Sequence, residues 1–561
     1  MGKRHAQKNA GGAGARGGGS GRGSGARRGR GKGSSHDGAL RGNRAGFHGT
    51  ASGAEPAPRR LTGDPHARIA VIGGGAAGLA AAIAAGRELA RLRPAGDGGY
   101  ASGDAGIVVF EADERVGRSI LATGNGRCNL SNVRIDARLY RNAAFVDAAL
   151  SSLEERGSRR FRAHGIACGS SKDPVLRFFE GAGLELREEG EGRLYPATGK
   201  ASTVLDVLRV AAARQGAVEA CCRRAVRVEP PRKKGGLFHL HFSDGAVEHA
   251  AAVIVALGGK HALAGEPSSK GFCFQGDEAR SAGETGGVLR QGAASLLPVR
   301  YGCEPLRPVL GPLAVSESDP RALDNIRVRA RVRLADGAPF GGEKACESGE
   351  VLFRSYGVSG ICVFNLSRFA EAGDGLCIDF LPQAGEHGHR RYLLERWERM
   401  ASQPEFARHG GAPLTNSAFL NGLLLPQVAR AVLKRAGLAP DAPLEKEGVT
   451  ALASALQGFA LTVEGIGDAR QCQVMRGGLD VAQFDPQTME SRLDAGLFAA
   501  GEALDVDAPC GGYNLHWAWA SGMLAGMSAA RCVVGAHAIA FGKTPDGRNP
   551  SDDAAAADAT E

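Results

Sequence analysis

The apolar positions fall into runs with different periods, and each period predicts a different element. Four stretches are apolar without alternation: "RIAVI" (68–72), "GIVVFEA" (106–112), "AAVIVALGG" (251–259) and "GLFAAG" (496–501). Short runs of this kind are strands covered on both faces, as in a parallel sheet. An Ala-rich helix begins at about residue 76, residues 143–188 are rich in helix, and "GRLYPATGKASTVLDVLRVAA" (192–212) is a polar loop running into an amphipathic helix. A hairpin-like pair, "AVRVEP" (225–230) and the stretch from Gly236, turns at Asp244-Gly245. From about residue 293 the pattern shortens into β-like runs, "RVRARVRL", "GEVLFR", "ICVFNL" and "GLCIDFL". Residues 390–455 are helical, with Leu393, Trp397 and Met400 on one face and a helix that has Pro426 near its start and Gly437 past its end. A further β segment (459–484) returns to the small barrel or sandwich, and 496–530 adds a strand, a Gly-rich loop and a small-residue helix. The chain is therefore α/β with a β-rich insertion.

Charge changes this picture only at the ends. The formal net charge is +9, but residues 1–60 hold 13 Lys and Arg against 2 Asp and Glu, so the remaining chain sums to −2. That tail is Gly/Arg/Ser low complexity, which cannot bury enough apolar surface to fold. Its 18 glycines exclude a helical transit peptide, and it lacks the apolar core of a secretory signal. It is either a solvated extension or an arm for nucleic acid. A second polar tail runs from about 541. The longest apolar stretch (69–85) is broken by four glycines and is short for a bilayer span. Twelve scattered cysteines without a CxxC pair fit neither a zinc site nor a disulfide framework and suggest a reducing, cytoplasmic setting. No metal is expected.

Candidate chemistry starts at the first strand. Gly73-x-Gly75-x-x-Gly78 lies where that strand meets its helix, the arrangement that brings backbone close to a pyrophosphate at a helix N-terminus. The same spacing at Gly12, Gly14 and Gly17 has neither strand nor helix beside it and reflects composition alone. Glu111 closes the next strand and is the carboxylate expected on a ribose hydroxyl. It stands 33 residues past Gly78 rather than about 20, an excess explained by the polar insertion 93–106.

Four separated blocks then carry a family resemblance: "VIGGGAAGLAAAIAA", "GRSILATGNGRCNLSN", "GRLYPATGKASTVLDVL" and "MESRLDAGLFAAGEALDVDAPCGGYNLHWAWASG". Together, over about 68–530, they resemble the BaiN/YhiN-type NAD(P)/FAD-dependent oxidoreductases, the aminoacetone-oxidase-like flavoproteins. The resemblance implies a two-dinucleotide-binding-type, Rossmann-like FAD domain in two segments (67–292 and 485–540). An inserted β-barrel (293–382, returning at 457–484) carries a helical insert (383–456), and tails at 1–66 and 541–561 are disordered. It implies FAD contacts at the phosphate turn, with Ala76 and Ala77 beside the glycines, and at Glu111, Ala112 and Arg118. Thr123, Gly124, Asn125, Arg127, Cys128 and Asn129 would lie against the flavin ring and ribityl chain, with Arg127 supplying positive charge. Val226 and Gly258 belong to the same set. Gly501 and Glu502 would meet the ribityl chain, and Gly511, Gly512, Tyr513 and Asn514 would open a helix toward the flavin pyrimidine.

The resemblance further implies an oxidoreductase that moves hydride between flavin and a small substrate, reducing an activated C=C bond or oxidising an amine or aminoketone. FAD is expected to be non-covalent, since no His or Cys sits in a flavin-linking context. A second strand–GxGxxG–helix unit is absent from the sequence, so NAD(P)H would serve as a transient co-substrate. Tyr356, Tyr513 and His516 are the weak candidates for acid or base. Cys128 and Cys510 lack the close spacing of a flavin disulfide reductase pair. The loop "HALAGEPSSKGFCFQGDEA" (261–279) departs from the family pattern and leaves substrate identity open. The alternative reading is a nucleic-acid-associated flavoprotein acting through residues 1–60.

Overall fold

The computed structural model describes residues 61, 64–92, 106–164, 172–233, 235–259, 292–337, 341–385, 388–403 and 413–540. Both tails and the 261–279 loop lie outside the described residues.

β1 (Ile69–Ile72) turns through 73–75 into α1 (Ala76–Leu92), and β2 (Ile107–Phe110) ends at Glu111. α2 (Arg118–Ala122) and the short β3 (Ser131–Asn132) bracket the 123–130 run. α3 (Ala143–His164) and α4 (Pro174–Glu180) precede a hairpin of β4 (Leu186–Glu189) and β5 (Arg193–Pro196). α5 (Ala201–Arg214) leads to β6 (Ala217–Ala220). A meander of β7 (Ala225–Glu229), β8 (Phe238–Phe242) and β9 (Val247–Ala250) then feeds β10 (Ala252–Val255). β5 lies where the sequence suggested only a polar loop. Its Leu194 and Tyr195 are buried, and it pairs with both β3 and β4.

After α6 (Ala293–Leu296) and β11 (Cys303–Val309) come β12 (Leu313–Val315), α7 (Asp319–Ala322), β13 (Arg327–Ala335), β14 (Glu343–Arg354) and β15 (Gly357–Ser359). α8 (Ile361–Leu366) and β16 (Gly375–Asp379) follow, then the helices α9 (His389–Ala401), α10 (Asn416–Leu420), α11 (Pro426–Ala436) and α12 (Lys446–Gln457). β17 (Phe459–Ile466), β18 (Val474–Leu479), β19 (Leu497–Ala499) and α13 (Tyr513–Ala540) complete the chain.

The parallel sheet has the order β19-β10-β1-β2-β6. Val71 faces α1, lying 3.2 Å from the position a Cβ on Gly78 would take. Phe110 pairs in register with Ile72, one residue on, and its ring lies 4.8 Å from that of Phe242. Successive strand residues face opposite ways, so α1 and the meander cover opposite faces of the sheet. That cover is why these strands are apolar without alternation. α13 lies along α1 through small residues: a Cβ on Gly522 or Gly526 would overlap the backbone of Ala77 or Ala81. Arg531 of α13 reaches Glu88 of α1 at 2.7 Å.

The insertion is a closed barrel of order β12-β15-β14-β13-β16-β17. Val332, Leu334, Val351, Phe353, Leu376 and Ile378 fill it. "ICVFNL" forms helix α8 rather than a strand. Gly360 at φ 111° breaks the strand, and Cys362, Val363 and Leu366 are buried at helical rather than alternate spacing. β11 pairs with β18 outside the closed barrel. Ala293, Leu296 and Tyr301 belong to the core of the parallel-sheet region, while the barrel core begins at Leu313 and takes in α9 to α12. The expected boundary at 293 therefore falls inside the first core. α11 starts at Pro426 and stops at Gly437 in the left-handed conformation, as its sequence predicts.

Candidate cofactor and active site

The carboxyl ends of β1, β2, β10 and β19 gather at one edge of the sheet, where the chain switches from one side of β1 to the other. Open α/β sheets bind ligands in that crevice. The glycines of the first turn have separable roles there. Gly73 takes φ +103°, and a Cβ on it would stand 2.6 Å from the Ala256 carbonyl oxygen. A Cβ on Gly78 would overlap the Gly73 carbonyl, so helix and strand approach as closely as backbone allows. Gly75 faces only Ser119 Oγ at 3.3 Å, leaving the mouth of the turn accessible. Ala76 and Ala77 start α1, with their amides in its first turn. Glu111 leans over this turn, accepting from Gly74 N–H at 2.9 Å and from Asp113 N–H at 3.0 Å. Ala112 follows it, and Arg118 pairs with Asp113 at 3.1 Å. On the other side of β1, Glu502 accepts from Gly259 N–H at 3.2 Å, with Gly258 and Gly501 beside it.

The 123–129 run is a chain of tight turns. Gly124, Asn125, Gly126 and Cys128 all have positive φ, between 55° and 80°. Thr123 Oγ1 donates to Ile120 O at 2.6 Å. Asn129 ties this run to the C-terminal block: its amide oxygen accepts from Gly512 N–H at 3.1 Å and its nitrogen donates to Ser131 O at 3.1 Å. Asn132 Nδ2 donates to Gly511 O at 3.0 Å. Two segments nearly 400 residues apart in sequence thus form one wall.

Several candidates have other work in the structure. Cys128 is buried in the core, and burial pushes its thiol up to about 11. Cys510 is pushed up to about 12, mainly by burial. Neither is the low-pKa, accessible thiol of redox chemistry. Arg127 pairs with Glu189 and lies 4.4 Å over the Tyr195 ring, so its charge is partly neutralised. Asn514 spends its amide on the loop before it, accepting from Ala508 N–H at 2.9 Å and donating to Ala508 O at 2.8 Å. Val226 is exposed on β7.

The acid–base candidates separate clearly. His516 is 3% exposed, bonded to Ser131 Oγ at 2.8 Å, and burial lowers its imidazole pKa. It fastens α13 to β3, and its Nδ1 also stands 3.9 Å from an Asp173 carboxylate oxygen. Tyr356 belongs to the β14–β15 turn of the barrel. Its ring fills the space beside Gly467, and its hydroxyl accepts from Gln471 Nε2 at 3.4 Å. Tyr513 begins α13, its carbonyl accepting from Tyr140 OH at 2.9 Å.

Sequence reasoning missed a buried charge network in "LDVDAP". Asp507 is 1% exposed and meets Arg368 Nε at 2.7 Å and Arg476 Nε and Nη2 at 2.7 Å each. Burial opposes its charge, but the two guanidiniums outweigh it and hold the carboxyl below its ordinary range. Asp505 accepts from Arg141 Nε at 2.8 Å and from Gly477 N–H at 3.1 Å. Arg368 follows α8 and Arg476 lies on β18, so the pairs bind the insertion to the segment that leads into α13. Two aspartates spaced one apart in a loop were the available signal. Among the described residues no group of three or more His, Cys, Asp or Glu side chains is placed to hold a metal, and no helix is long and apolar enough to cross a membrane.

A parallel sheet with a glycine phosphate turn, a carboxylate after β2 and a second glycine wall at the same edge defines a flavoprotein oxidoreductase. The chain belongs to the HI0933-like family: the model of the HI0933-like protein Rossmann domain matches residues 67–528. It is 31% identical to the 3-dehydro-bile acid delta(4,6)-reductase of Clostridium scindens over 82% of this chain and 99% of that protein. It is also 25% identical to the ribosomal RNA dihydrouridine synthase of Escherichia coli (80% of this chain, 95% of that one). The enzyme of the same name from Haemophilus influenzae is 24% identical over 82% of this chain and 98% of its own length.

Proposed function

We propose that this protein reduces a carbon–carbon double bond conjugated to a carbonyl, using non-covalent FAD. The observation that carries this reading is chemical. A 3-dehydro bile acid with delta-4,6 unsaturation and the uracil ring of uridine look unlike, but in each the bond named by the relative's activity is conjugated to a carbonyl. One chemistry therefore accounts for both relatives, and it favours the double-bond substrate over an amine.

The cradle fits such a cofactor. The α1 amides would take the pyrophosphate, and the two Glu111 oxygens would take the adenosine ribose hydroxyls, displacing the backbone bonds they now accept. Glu502 would hold a ribityl hydroxyl. The wall of Gly124, Asn129 and Gly511–Tyr513 would lie along the ring. Bound FAD supplies the hydride, and NAD(P)H is the proposed transient donor that restores it.

A second reading, the same reduction on a uracil within RNA, is favoured by the +11 balance of residues 1–60 and by the name of two relatives. The test uses purified full-length protein. The chromophore released on denaturation should be FAD. After anaerobic reduction with NADH or NADPH, the flavin should be reoxidised by a conjugated steroid enone or by unmodified ribosomal RNA, and not by a saturated ketone. FMN, a flavin retained on the chain, or reoxidation by none of the conjugated compounds would overturn the proposal.

A further inference from the structure

The wall at 510–513 is held from two directions, and they meet at one peptide. Asn132 Nδ2 donates to Gly511 O at 3.0 Å, and Asn129 accepts from Gly512 N–H at 3.1 Å. Both bonds come from the 129–132 segment, and they hold a single peptide group, the Gly511–Gly512 link, at its oxygen and its nitrogen. Cys510 is held by the insertion instead. Asn365 Oδ1, on α8, accepts from Cys510 N–H at 2.9 Å. The Cys510 thiol donates to Gln473 Oε1 at 3.6 Å, just before β18. Cys510 also packs with Phe364, Val309, Leu310 and Val474.

Between these anchors lies the Cys510–Gly511 peptide. Among the described residues, no group accepts from its Gly511 N–H. Gly511 has φ +129°, a conformation side chains rarely take, and a Cβ there would stand 3.0 Å from Tyr513 Cε2. The backbone is therefore bare at this point, and residues 509–515 are partly exposed. Backbone N–H groups away from bulk water normally find a partner. One without a protein acceptor, in a glycine-lined wall that a ligand can approach, is a donor left for that ligand.

Resting on the FAD reading above, we infer that Asn365 is a positioning residue for the flavin: by holding Cys510 it aims the Gly511 N–H at the polar edge of the ring. The peptide is planar, so its direction turns only on Cys510 ψ and Gly511 φ. The bonds at Cys510 N–H and Gly511 O fix the peptides on either side and leave it one orientation. Without Asn365, the side toward the insertion is freed while the side toward Asn129 and Asn132 stays fixed. A fixed donor at the ring favours the negative charge that the ring gains on reduction. The insertion thereby sets a property of the cofactor through the backbone of the other body.

Asn365→Leu keeps the size of the side chain and removes the acceptor, whereas Asn365→Asp keeps the acceptor. In the FAD-loaded holoenzyme, Asn365→Leu should prefer reduced over oxidised flavin roughly tenfold less than wild type does. For a two-electron couple this is a potential more negative by about 30 mV, read by redox titration. Amide hydrogen exchange of the same holoenzyme should quicken across 508–513 in Asn365→Leu and stay at the wild-type rate in Asn365→Asp. A merely structural role would lower the melting temperature and leave the potential where it was. Where the leucine variant does not fold, Asn365→Ala gives the same two readings. An unshifted potential in folded, yellow variant protein would overturn the assignment and leave FAD binding standing. So would a shift without faster exchange, or exchange as fast in Asn365→Asp as in Asn365→Leu. Wild-type protein that carries no FAD overturns both.

Discussion

Glu111 has two acceptor oxygens and, in this structure, two backbone N–H partners at the edge of the phosphate turn. A diol can replace those partners without moving the carboxylate. Charge-assisted hydrogen bonds contribute roughly 1.5–3 kcal/mol, so Glu111→Ala should weaken FAD binding by about 10- to 100-fold. Equilibrium dialysis followed by flavin absorbance measures this, and undiminished occupancy would mean that another carboxylate holds the ribose. Gly124 makes a different demand. Its φ is +55°, and a Cβ there would meet Asn129 N at 2.8 Å. Gly124→Val should therefore disturb Asn129, break its bond to Gly512, and lower flavin occupancy while the barrel stays folded. Fully yellow Gly124→Val protein would remove this run from the site. Glu111 could be singled out in the sequence because an acid closing the second strand is a local pattern, whereas Gly124 came only from the family resemblance. The pairing of Arg127 with Glu189 was not legible there: its partner lies 62 residues away at the end of β4, and no period in the chain announces it.

Among the elements, the parallel strands were plain from their unbroken apolar runs, and α11 from its terminal Pro and Gly. α8 was misread because six mostly apolar residues fit a strand or a helix equally well, and only the barrel it caps decides. The pairing of α1 with α13 was hidden for the opposite reason. Small residues carry little hydrophobic signal, yet here they allow two backbones to meet. A Cβ on Gly526 would overlap the Ala81 carbonyl, and overpacking of this kind costs about 1–3 kcal/mol. Because α1 carries the phosphate turn at its N-terminus, Gly526→Val should lower the melting temperature and also speed FAD loss. Gly535→Ala, in the same helix with nothing within 4 Å of the added atom, serves as the control. Equal effects of the two substitutions would separate helix contact from cofactor retention.

At the scale of the molecule, the parallel-sheet core and the barrel core are separate, and a buried charge network ties them beside a small apolar cluster of Val309, Leu310 and Val474 with Phe364 and Cys510. Sequence reading found both bodies but not the join, because two aspartates and two distant arginines look like surface residues until the fold buries them. Asp507 takes Arg368 and Arg476 together. Removing one member of a buried ion pair leaves the others uncompensated, at a cost of about 3–5 kcal/mol. The pH dependence follows from the direction of the shift. The unfolded carboxyl titrates near about 3.9, and the folded one titrates lower because the guanidiniums outweigh burial. Its contribution is therefore complete above about pH 4 and is lost as acidity passes through the lower, folded value. Asp507→Asn should unfold at lower denaturant at neutral pH, and its deficit against wild type should shrink on acidification, as the wild-type carboxyl also becomes protonated. Urea titrations of both proteins at neutral and acidic pH, followed by flavin fluorescence and circular dichroism, measure that convergence. A deficit that stays constant with pH would mean that the join depends on the shape of the side chain and not on its charge.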